Sequence, residues 1–294
     1  MAATLTFNRE FDPQTGVAVP FCAGLVRITA PNSSPYTFTG TNSFLLGHER
    51  LALVDPGPDD ATHLAALHAA MAGRALEAII LTHTHRDHSA AAARLGRQYD
   101  VPIWFGGRHR LFERNVLRKS CDWDLVPDRI LIDGETIAAG DVRISVHTTP
   151  GHCANHLAFG YGDVLLSGDH VMGWNSTLVS VPDGSMADYF ASLDKVIALP
   201  QQRYVPAHGG AIENGPGFAR ALKAHRHMRN GQVLAAIADG AHSISALVSA
   251  IYPCQSLPVR MAARMTIAAH VEYLENLGQL SVSRRPWGTR IRAS

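Results

Sequence analysis

A short apolar run that ends in a cluster of histidines constrains this chain more than any other feature. Residues 78–81, Ala-Ile-Ile-Leu, have the length and composition of a strand that is buried on both faces. Residues 83–88 follow as His-Thr-His-Arg-Asp-His and offer four ligand side chains. Imidazole and carboxylate groups bind zinc and similar divalent ions. The segment therefore predicts a strand that delivers a metal-binding loop to the edge of a sheet.

Three later residues extend this cluster. His152, Asp169 and His208 each follow a predicted strand and stand beside glycine or proline. A tight loop of this kind can present a side chain to a cleft, and loops on a rigid scaffold often carry catalytic groups. We therefore expect these three residues to join residues 83–88 in one site.

The whole set resembles the hallmark of the metallo-β-lactamase superfamily, H-x-H-x-D-H followed by a histidine, an aspartate and a last histidine. The resemblance covers roughly residues 20–212. It implies an α/β fold, the αββα four-layer sandwich, with metals at one edge where loops from both sheets meet. It also implies two sets of metal ligands and one bridging residue. The first metal would be held by His83, His85 and His152, the second by Asp87, His88 and His208, and both by Asp169.

This ligand set leads us to expect a metal-dependent hydrolase with two divalent ions. Zinc suits the ligands, and iron or manganese are the alternatives because mixed nitrogen and oxygen sites accept them as well. Two metals about 3.5–4 Å apart can share a hydroxide, since each lowers the pKa of bound water. We expect this hydroxide to attack the substrate directly, with Asp87 as the catalytic residue that orients it.

Residues around the ligands are also candidates. Metal-bound histidines usually donate their second N–H to an acceptor. Asp55 is the candidate acceptor, and a turn-forming aspartate is the alternative interpretation. His156 follows His152 by one helical turn's spacing, so it is a candidate for substrate contact or for a histidine that is hydrogen-bonded inside the structure. His63 lies in a predicted helix and is expected to be solvated.

Composition limits the class of protein. The chain has 294 residues, of which 46% are hydrophobic and 17% charged, as is ordinary for a globular protein. A net charge of +1 is too small to attract a polyanionic partner through the overall charge of the protein. The sequence shows neither an apolar run long enough for a membrane span nor the pattern of a signal peptide. We therefore expect a cytoplasmic protein with no membrane partner.

The C-terminal part has a different pattern. Composition changes near residues 214–217, so we place a catalytic domain at 1–216 and a second domain at 217–294. Three predicted helices, about 218–238, 243–251 and 258–276, precede a two-stranded wing, which is typical of a winged helix. A catalytic domain with such a tail resembles the β-lactamase-like hydrolases, a branch between the glyoxalase II thioesterases and the RNA-cleaving enzymes.

Two segments have no assigned role at this level. Residues 107–128 are polar and irregular and predict a surface insertion, either a lid or a dimer contact. The last eleven residues carry four arginines, which together with Trp287 could hold phosphates and stack on a base. A solvated tail is the alternative. The four arginines are Arg284, Arg285, Arg290 and Arg292.

Three functions therefore stay open. The first is a phosphodiesterase resembling an endoribonuclease, and the second is a thioesterase of the glyoxalase II type that acts on glutathione or CoA thioesters. The third is a nucleic-acid-binding regulator, which the complete ligand set and the near-neutral charge argue against. The substrate is a small molecule or RNA under these hypotheses, and a homodimer is left open.

Overall fold

Two β-sheets lie face to face at the centre of the molecule. The computed structural model describes residues 5–110, 120–285 and 288–294. The strands of the first sheet are β1 (Ala18–Cys22), β2 (Leu25–Thr29), β3 (Asn42–Leu46), β4 (Arg50–Val54), β5 (Ala75–Ile80), β6 (Ile103–Phe105) and β7 (Arg129–Ile130). Those of the second are β8 (Thr136–Ala139), β9 (Val142–Thr148), β10 (Leu157–Tyr161), β11 (Val164–Gly168) and β12 (Arg203–Pro206). Neighbours in the first sheet run in sequence order, whereas the second has the order β12-β11-β10-β9-β8.

Helices cover the outer face of each sheet. The helices in the described ranges are α1 (Ala61–Met71), α2 (Arg86–Ser89), α3 (Ala92–Tyr99), α4 (Met186–Ala198), α5 (Gly215–Ala238), α6 (Ile244–Ile251) and α7 (Leu257–Asn276). Leu67 of α1 and Leu95 of α3 are buried against the first sheet. Leu193 of α4 is buried against the second. Phe44 and Phe159 belong to a third core between the sheets. The layers therefore follow the order predicted for the αββα sandwich.

Parallel strand pairs bring the loops of the site to one edge. β4 pairs with β5 and β11 pairs with β12 in parallel, so the carboxyl ends of both pairs emerge at matching positions. Asn42 joins the two sheets there, because its Nδ2 donates to the carbonyl oxygens of Pro206 and Gly209, both at 3.0 Å. The segments after β4, β5, β11 and β12 consequently meet at this edge.

The C-terminal part consists of α5, α6, α7 and an antiparallel hairpin formed by β13 (Leu280–Arg285) and β14 (Gly288–Ala293). Val233, Leu247, Ile267 and Ile291 share a core of their own. These helices and strands lie where the sequence predicts them, to within a few residues. The proposed domain boundary falls in the first turn of α5 and stays a prediction. Trp287 lies outside the described residues.

The segment predicted as a surface insertion is partly packed in its described portions. Residues 111–119 lie outside the description. Cys121 is buried, and the backbone N–H of Asp122 donates to the carbonyl oxygen of Thr84 at 2.8 Å. This portion therefore lies against the metal-binding loop. All four cysteines are free thiols, and no helix in the described ranges is long and apolar enough to cross a membrane.

The expectation that His63 is solvated is wrong. The first turn of α1 turns this ring inward, where it is fully buried. Its Nε2 lies 2.9 Å from Ser43 Oγ. Burial lowers the pKa of His63 to about 4, although nearby Asp60 acts in the opposite direction. The ring is consequently neutral in the folded protein at neutral pH.

Acid should therefore destabilise the protein through His63. Between a pKa of about 4 in the folded chain and 6.5 in the unfolded chain, only the unfolded chain binds this proton. The free energy of unfolding must then fall as the pH falls through this window. We expect the wild type to lose about 2 kcal/mol more than His63→Gln between about pH 7 and 5. Urea unfolding of both metal-stripped proteins measures this, and equal losses would refute it.

Candidate metal centre

The first group of ligand atoms is formed by three histidines. His83 and His85 stand on the loop after β5, and His152 stands on the loop after β9. His83 Nε2 and His152 Nε2 each lie 2.9 Å from His85 Nδ1. The carboxylate of Asp169, directly after β11, completes this group. Four side chains from three loops therefore direct one nitrogen or oxygen atom each toward a common point.

The second group lies beside the first. Asp87 Oδ2 is 3.4 Å from His88 Nε2 and 3.3 Å from His208 Nε2. Asp169 Oδ1 is 3.6 Å from His88 Nε2 and 3.3 Å from His208 Nε2. The other oxygen of Asp169, Oδ2, is 3.6 Å from His152 Nε2. Asp169 thus spans the two groups, and all seven predicted ligand residues are brought together.

Asp55 lies behind two of these histidines. Its Oδ2 accepts from Nδ1 of His88 at 2.9 Å and from Thr82 Oγ1 at 2.6 Å. Thr82 Oγ1 in turn lies 3.0 Å from Nδ1 of His83, so this N–H can donate to it. The fully buried Asp55 therefore fixes the ring orientation of both histidines, so that each Nε2 is directed toward the other ligand atoms.

The remaining Nε2 ligands are oriented by backbone carbonyl groups. His152 Nδ1 donates to the oxygen of Leu178 at 2.6 Å, and His208 Nδ1 donates to that of Gly40 at 3.2 Å. A neutral imidazole carries one N–H, so the second nitrogen of each ring keeps its lone pair. Lone pairs held in this way are what a divalent cation requires of its histidine ligands.

Unpartnered atoms show that the site fits a cation. Nε2 of His88 and Oδ1 of Asp169 are buried, and neither has a hydrogen-bond partner in the described part of the chain. Buried polar atoms in proteins nearly always have a partner, and a metal ion is one that satisfies a nitrogen and a carboxylate oxygen together. The donor set of imidazole and carboxylate groups thus fits divalent ions such as zinc.

Electrostatics distinguishes the two groups. Burial lowers the pKa of His83 well below its usual value, and the neighbouring histidines lower it further. Burial acts in the same direction on His88, but Asp87, Asp169 and Asp55 outweigh it and raise the pKa of His88 well above its usual value. The carboxylates therefore attract positive charge to this second group, which is the effect that favours a cation there.

His156 positions the backbone of Asp169. Its Nε2 accepts from the backbone N–H of Asp169 at 3.1 Å, and its Nδ1 donates to Thr149 Oγ1 at 2.7 Å. Gly168 has a φ of 51°, and a Cβ there would lie 2.6 Å from His156 Nε2. Of the two alternatives for His156, the structure thus favours a ring that positions Asp169 over one that faces substrate.

A hydrogen-bond network beside His85 escaped the sequence interpretation. His109 Nδ1 lies 2.6 Å from Asp183 Oδ2, and His109 Nε2 lies 2.7 Å from Thr84 Oγ1. Asn155 Nδ2 donates to the same Thr84 oxygen at 2.9 Å. The network ties the His85 loop to two distant segments. No local motif marks it, because His109 and Asp183 are separated by most of the second sheet in sequence.

A groove of about 600 Å³ opens over the ligands. His85, Asp87, His152 and Asp169 lie at one end of it. Its other walls come from loops of the sandwich and from the C-terminal part, including α5 and α7, and most of these wall residues are apolar. Among these wall residues are Tyr36, Met172, Trp174, Leu178, Val259 and Met265.

A sandwich of two sheets between helices, with imidazole and carboxylate groups gathered at one edge, is the architecture of metal-dependent enzymes that are mostly hydrolases. The chain belongs to the metallo-beta-lactamase superfamily, whose family model matches residues 36–208. That match contains all seven predicted ligands and ends before the C-terminal helices.

Individual relatives extend the comparison. The lactamase-like protein vrtG of Penicillium aethiopicum is 30% identical over 73% of this chain, and the match spans 66% of that relative. Beta-lactamase-like protein 2 homolog of Drosophila melanogaster is 27% identical, with 89% of this chain and 91% of the relative covered. An atrochrysone carboxyl ACP thioesterase of Passalora fulva is 26% identical over 78% of this chain and 68% of its own length.

A solved structure shows that the likeness includes the C-terminal part. The crystal structure of a metallo-beta-lactamase family protein from Thermus thermophilus has a TM-score of 0.78 and 25% sequence identity. The match covers 93% of this chain and 99% of that one. The helices after residue 214 are thus part of an arrangement shared with that protein.

Proposed function

We propose that this chain is a binuclear zinc thioesterase that hydrolyses acyl thioesters of the CoA or acyl-carrier type. Of the functions that the sequence left open, this one fits the groove best. The groove joins the metal-binding residues at one end to apolar walls such as Met172, Trp174 and Met265. An acyl chain can bury its methylene groups against such walls, and each group contributes about 0.8 kcal/mol. The groove is the observation that carries the proposal.

The charge of the groove disfavours RNA. A nucleic acid carries one negative charge per nucleotide, and proteins bind it mainly through lysine and arginine. Among the described residues that line the groove, Arg226 is the only one of either type. The acyl part of a thioester is uncharged and needs no further cation beside it in the groove.

The basic tail gives the RNA hypothesis little further support. Arg284 forms an ion pair with Glu275 of α7, with nitrogen–oxygen distances of 3.0 and 2.6 Å. Arg290 and Arg292 are exposed on β14, but neither lines the groove. The arginine cluster is therefore partly neutralised and stands apart from the metal-binding end.

Two further features support the proposal. One relative is named as an ACP thioesterase, so thioester hydrolysis occurs among proteins of similar sequence. The C-terminal part, which we propose to be a winged-helix domain, contributes the α7 wall of the groove rather than a nucleic-acid surface. Val259 and Met265 of that helix line the groove.

The chain's own residues suffice to place the reacting groups. When bound, two divalent ions would lower the pKa of water and polarise the acyl carbonyl group. Asp87 faces the groove with 29% of its side chain exposed, so its carboxylate can accept a hydrogen bond from the attacking water. As the water oxygen forms its bond to the acyl carbon, one proton of the water can pass to Asp87. When the carbon–sulfur bond breaks, this proton can pass on to the leaving sulfur, which gives a carboxylic acid and a thiol. The apolar walls hold the acyl chain and exclude other water molecules.

A hydrolysis screen on metal-loaded protein tests this function. It compares hexanoyl-CoA with a short single-stranded RNA and bis(p-nitrophenyl) phosphate. We expect thioester hydrolysis that falls by about 10²-fold or more in Asp87→Ala, because an orienting acid–base group contributes this much. Met265→Asp should lower kcat/KM for hexanoyl-CoA about tenfold while acetyl-CoA changes little. Cleavage of RNA or the phosphodiester without thioester turnover would overturn the proposal.

A further inference from the structure

A buried arginine stands in the wall of the groove. Arg226 of α5 is only 3% exposed, yet it lines the groove together with His152 and Asp169. Its guanidinium donates a short hydrogen bond to the carbonyl oxygen of Thr177 and lies 5.4 Å from the ring centre of Tyr189. Its Nε is buried and has no hydrogen-bond partner among the described residues. The side chain of Arg226 is thus held in place, but not all of its N–H groups have a hydrogen-bond acceptor among the described residues.

No negative charge in the described part of the chain balances this arginine. Its guanidinium forms no ion pair with a described carboxylate. Burial raises the pKa of Tyr189 to about 12, so this neighbour is neutral. Burial also lowers the pKa of His225 to about 4 and that of His270 well below its usual value. The surroundings of Arg226 therefore hold neutral groups and the cation of Arg229.

An unbalanced guanidinium in this position calls for an external anion. Arginine keeps its positive charge in proteins, and a buried charge is unfavourable unless it is paired. The planar guanidinium presents parallel N–H groups that match the two oxygens of a carboxylate. Arg226 is the only lysine or arginine among the described residues that line the groove, and the polar residues beside it, such as Thr177 and Thr266, are uncharged. The matching ligand therefore carries a single negative charge there.

The position of Arg226 relates this anion to the reaction. Thr177 accepts from Arg226 through its carbonyl oxygen, while its Oγ1 lies 3.2 Å from Nδ1 of His152. One residue therefore separates the guanidinium from a predicted metal ligand. A ligand bound to Arg226 would lie in the same groove as the reacting carbonyl group, at a short distance along it.

We propose that Arg226 binds a carboxylate at the free end of the substrate's acyl chain, so that the substrate is an ω-carboxyacyl thioester. This inference rests on the proposed thioesterase function for the identity of the scissile bond. The binding of a carboxylate at Arg226 does not depend on it. Arg226 acts as a specificity-determining residue, and the carboxylate places the thioester carbonyl at the metal-binding end of the groove.

Matched pairs of substrates test the proposal. Succinyl-CoA and glutaryl-CoA are compared with butyryl-CoA and valeryl-CoA in the wild type, Arg226→Met and Arg226→Lys. We expect the wild type to prefer the carboxylated member in kcat/KM by about tenfold or more, as for a charge-assisted hydrogen bond. Arg226→Met should lose this preference, so that its kcat/KM for each carboxylated thioester falls toward that for the matching neutral one. Arg226→Lys should recover part of it.

A purely structural role of Arg226 predicts a different result. If the side chain only ties α5 to the Thr177 loop, Arg226→Met lowers kcat/KM equally for carboxylated and neutral substrates. That result overturns the proposal, as does an unchanged preference in a folded Arg226→Met protein. Thermal unfolding checks the fold of both variants, and replacement of a buried charge by an apolar side chain of similar volume is often tolerated.

A binding measurement separates this proposal from the proposed function. Calorimetry compares the binding of glutarate and valerate to metal-loaded wild type and to metal-loaded Arg226→Met. Both ligands carry one carboxylate that the metals could bind, so a difference in their affinities reports the second carboxylate of glutarate. Tighter binding of glutarate that disappears in Arg226→Met supports the anion site even if no thioester is hydrolysed. Thioester hydrolysis without this difference would retain the function and overturn the anion site.

Discussion

Asp169→Asn is expected to lower turnover by about 10³-fold and the metal content from two ions per chain to one or none. Among the described residues, Asp169 is the one whose two oxygens face both groups of ligand atoms, with Oδ1 toward His88 and His208 and Oδ2 toward His152. Asparagine keeps the size of the side chain but removes its charge and replaces one oxygen with an N–H donor. The substitution therefore affects both predicted metal sites at once.

Elemental analysis of the purified variant and its rate on the best thioester measure these effects. Asp163→Asn is the matched control, since Asp163 is an exposed aspartate on the hairpin between β10 and β11 that pairs with Arg203 at 2.9 Å. An exposed ion pair contributes little to stability, so this variant should keep both ions and its activity. Two ions per chain and near wild-type turnover in Asp169→Asn would contradict the predicted bridging role.

Asp55→Asn is expected to weaken metal binding or activity about 10- to 100-fold, although Asp55 is not a predicted ligand. Asp55 accepts from His88 directly and holds His83 through Thr82. Asp55 has a left-handed backbone with a φ of 50°, which asparagine also adopts readily. The substitution thus removes the charge behind the histidines with little change in backbone conformation.

Competition with a chelator measures the zinc affinity of this variant. The control is Asp59→Asn, since Asp59 lies four residues away and forms an exposed ion pair with Arg94. Unchanged zinc affinity combined with lower thermal stability would reduce Asp55 to a turn-forming residue, the alternative that the sequence left open. A loss of affinity at unchanged stability would assign it the orienting role.

The ligand residues could be located from sequence because local spacing constrains them. Residues 83–88 directly follow a buried strand, so the chain itself places their side chains within reach of one another. His152, Asp169 and His208 carry the same local signal, a loop with glycine or proline after a strand. Their convergence also needed the order of the motif, since nothing local joins residues so far apart. That they bind metals stays a prediction.

Other features have no local signal. His63 was misjudged because helical spacing alone does not say which face of α1 meets the sheet. His109 and Asp183 were missed because their contact joins two segments whose sequences carry no recognisable motif. The packing of the described part of the predicted insertion against the predicted metal-binding loop was missed for the same reason. In each case, the partner of the side chain was fixed by the packing of whole layers.

The sequence by itself determined the family, the seven candidate ligand residues and the approximate bounds of the C-terminal helices. It could do so because hydrophobic periodicity and short-range spacing act along a few residues of chain. Only the tertiary structure decided the groove and the buried charge of Arg226. The groove depends on how α5 and α7 lie against the loops of the sandwich, and the absence of a counter-ion for Arg226 depends on every group that packs around it. Such properties belong to contacts between distant segments, which no local pattern encodes.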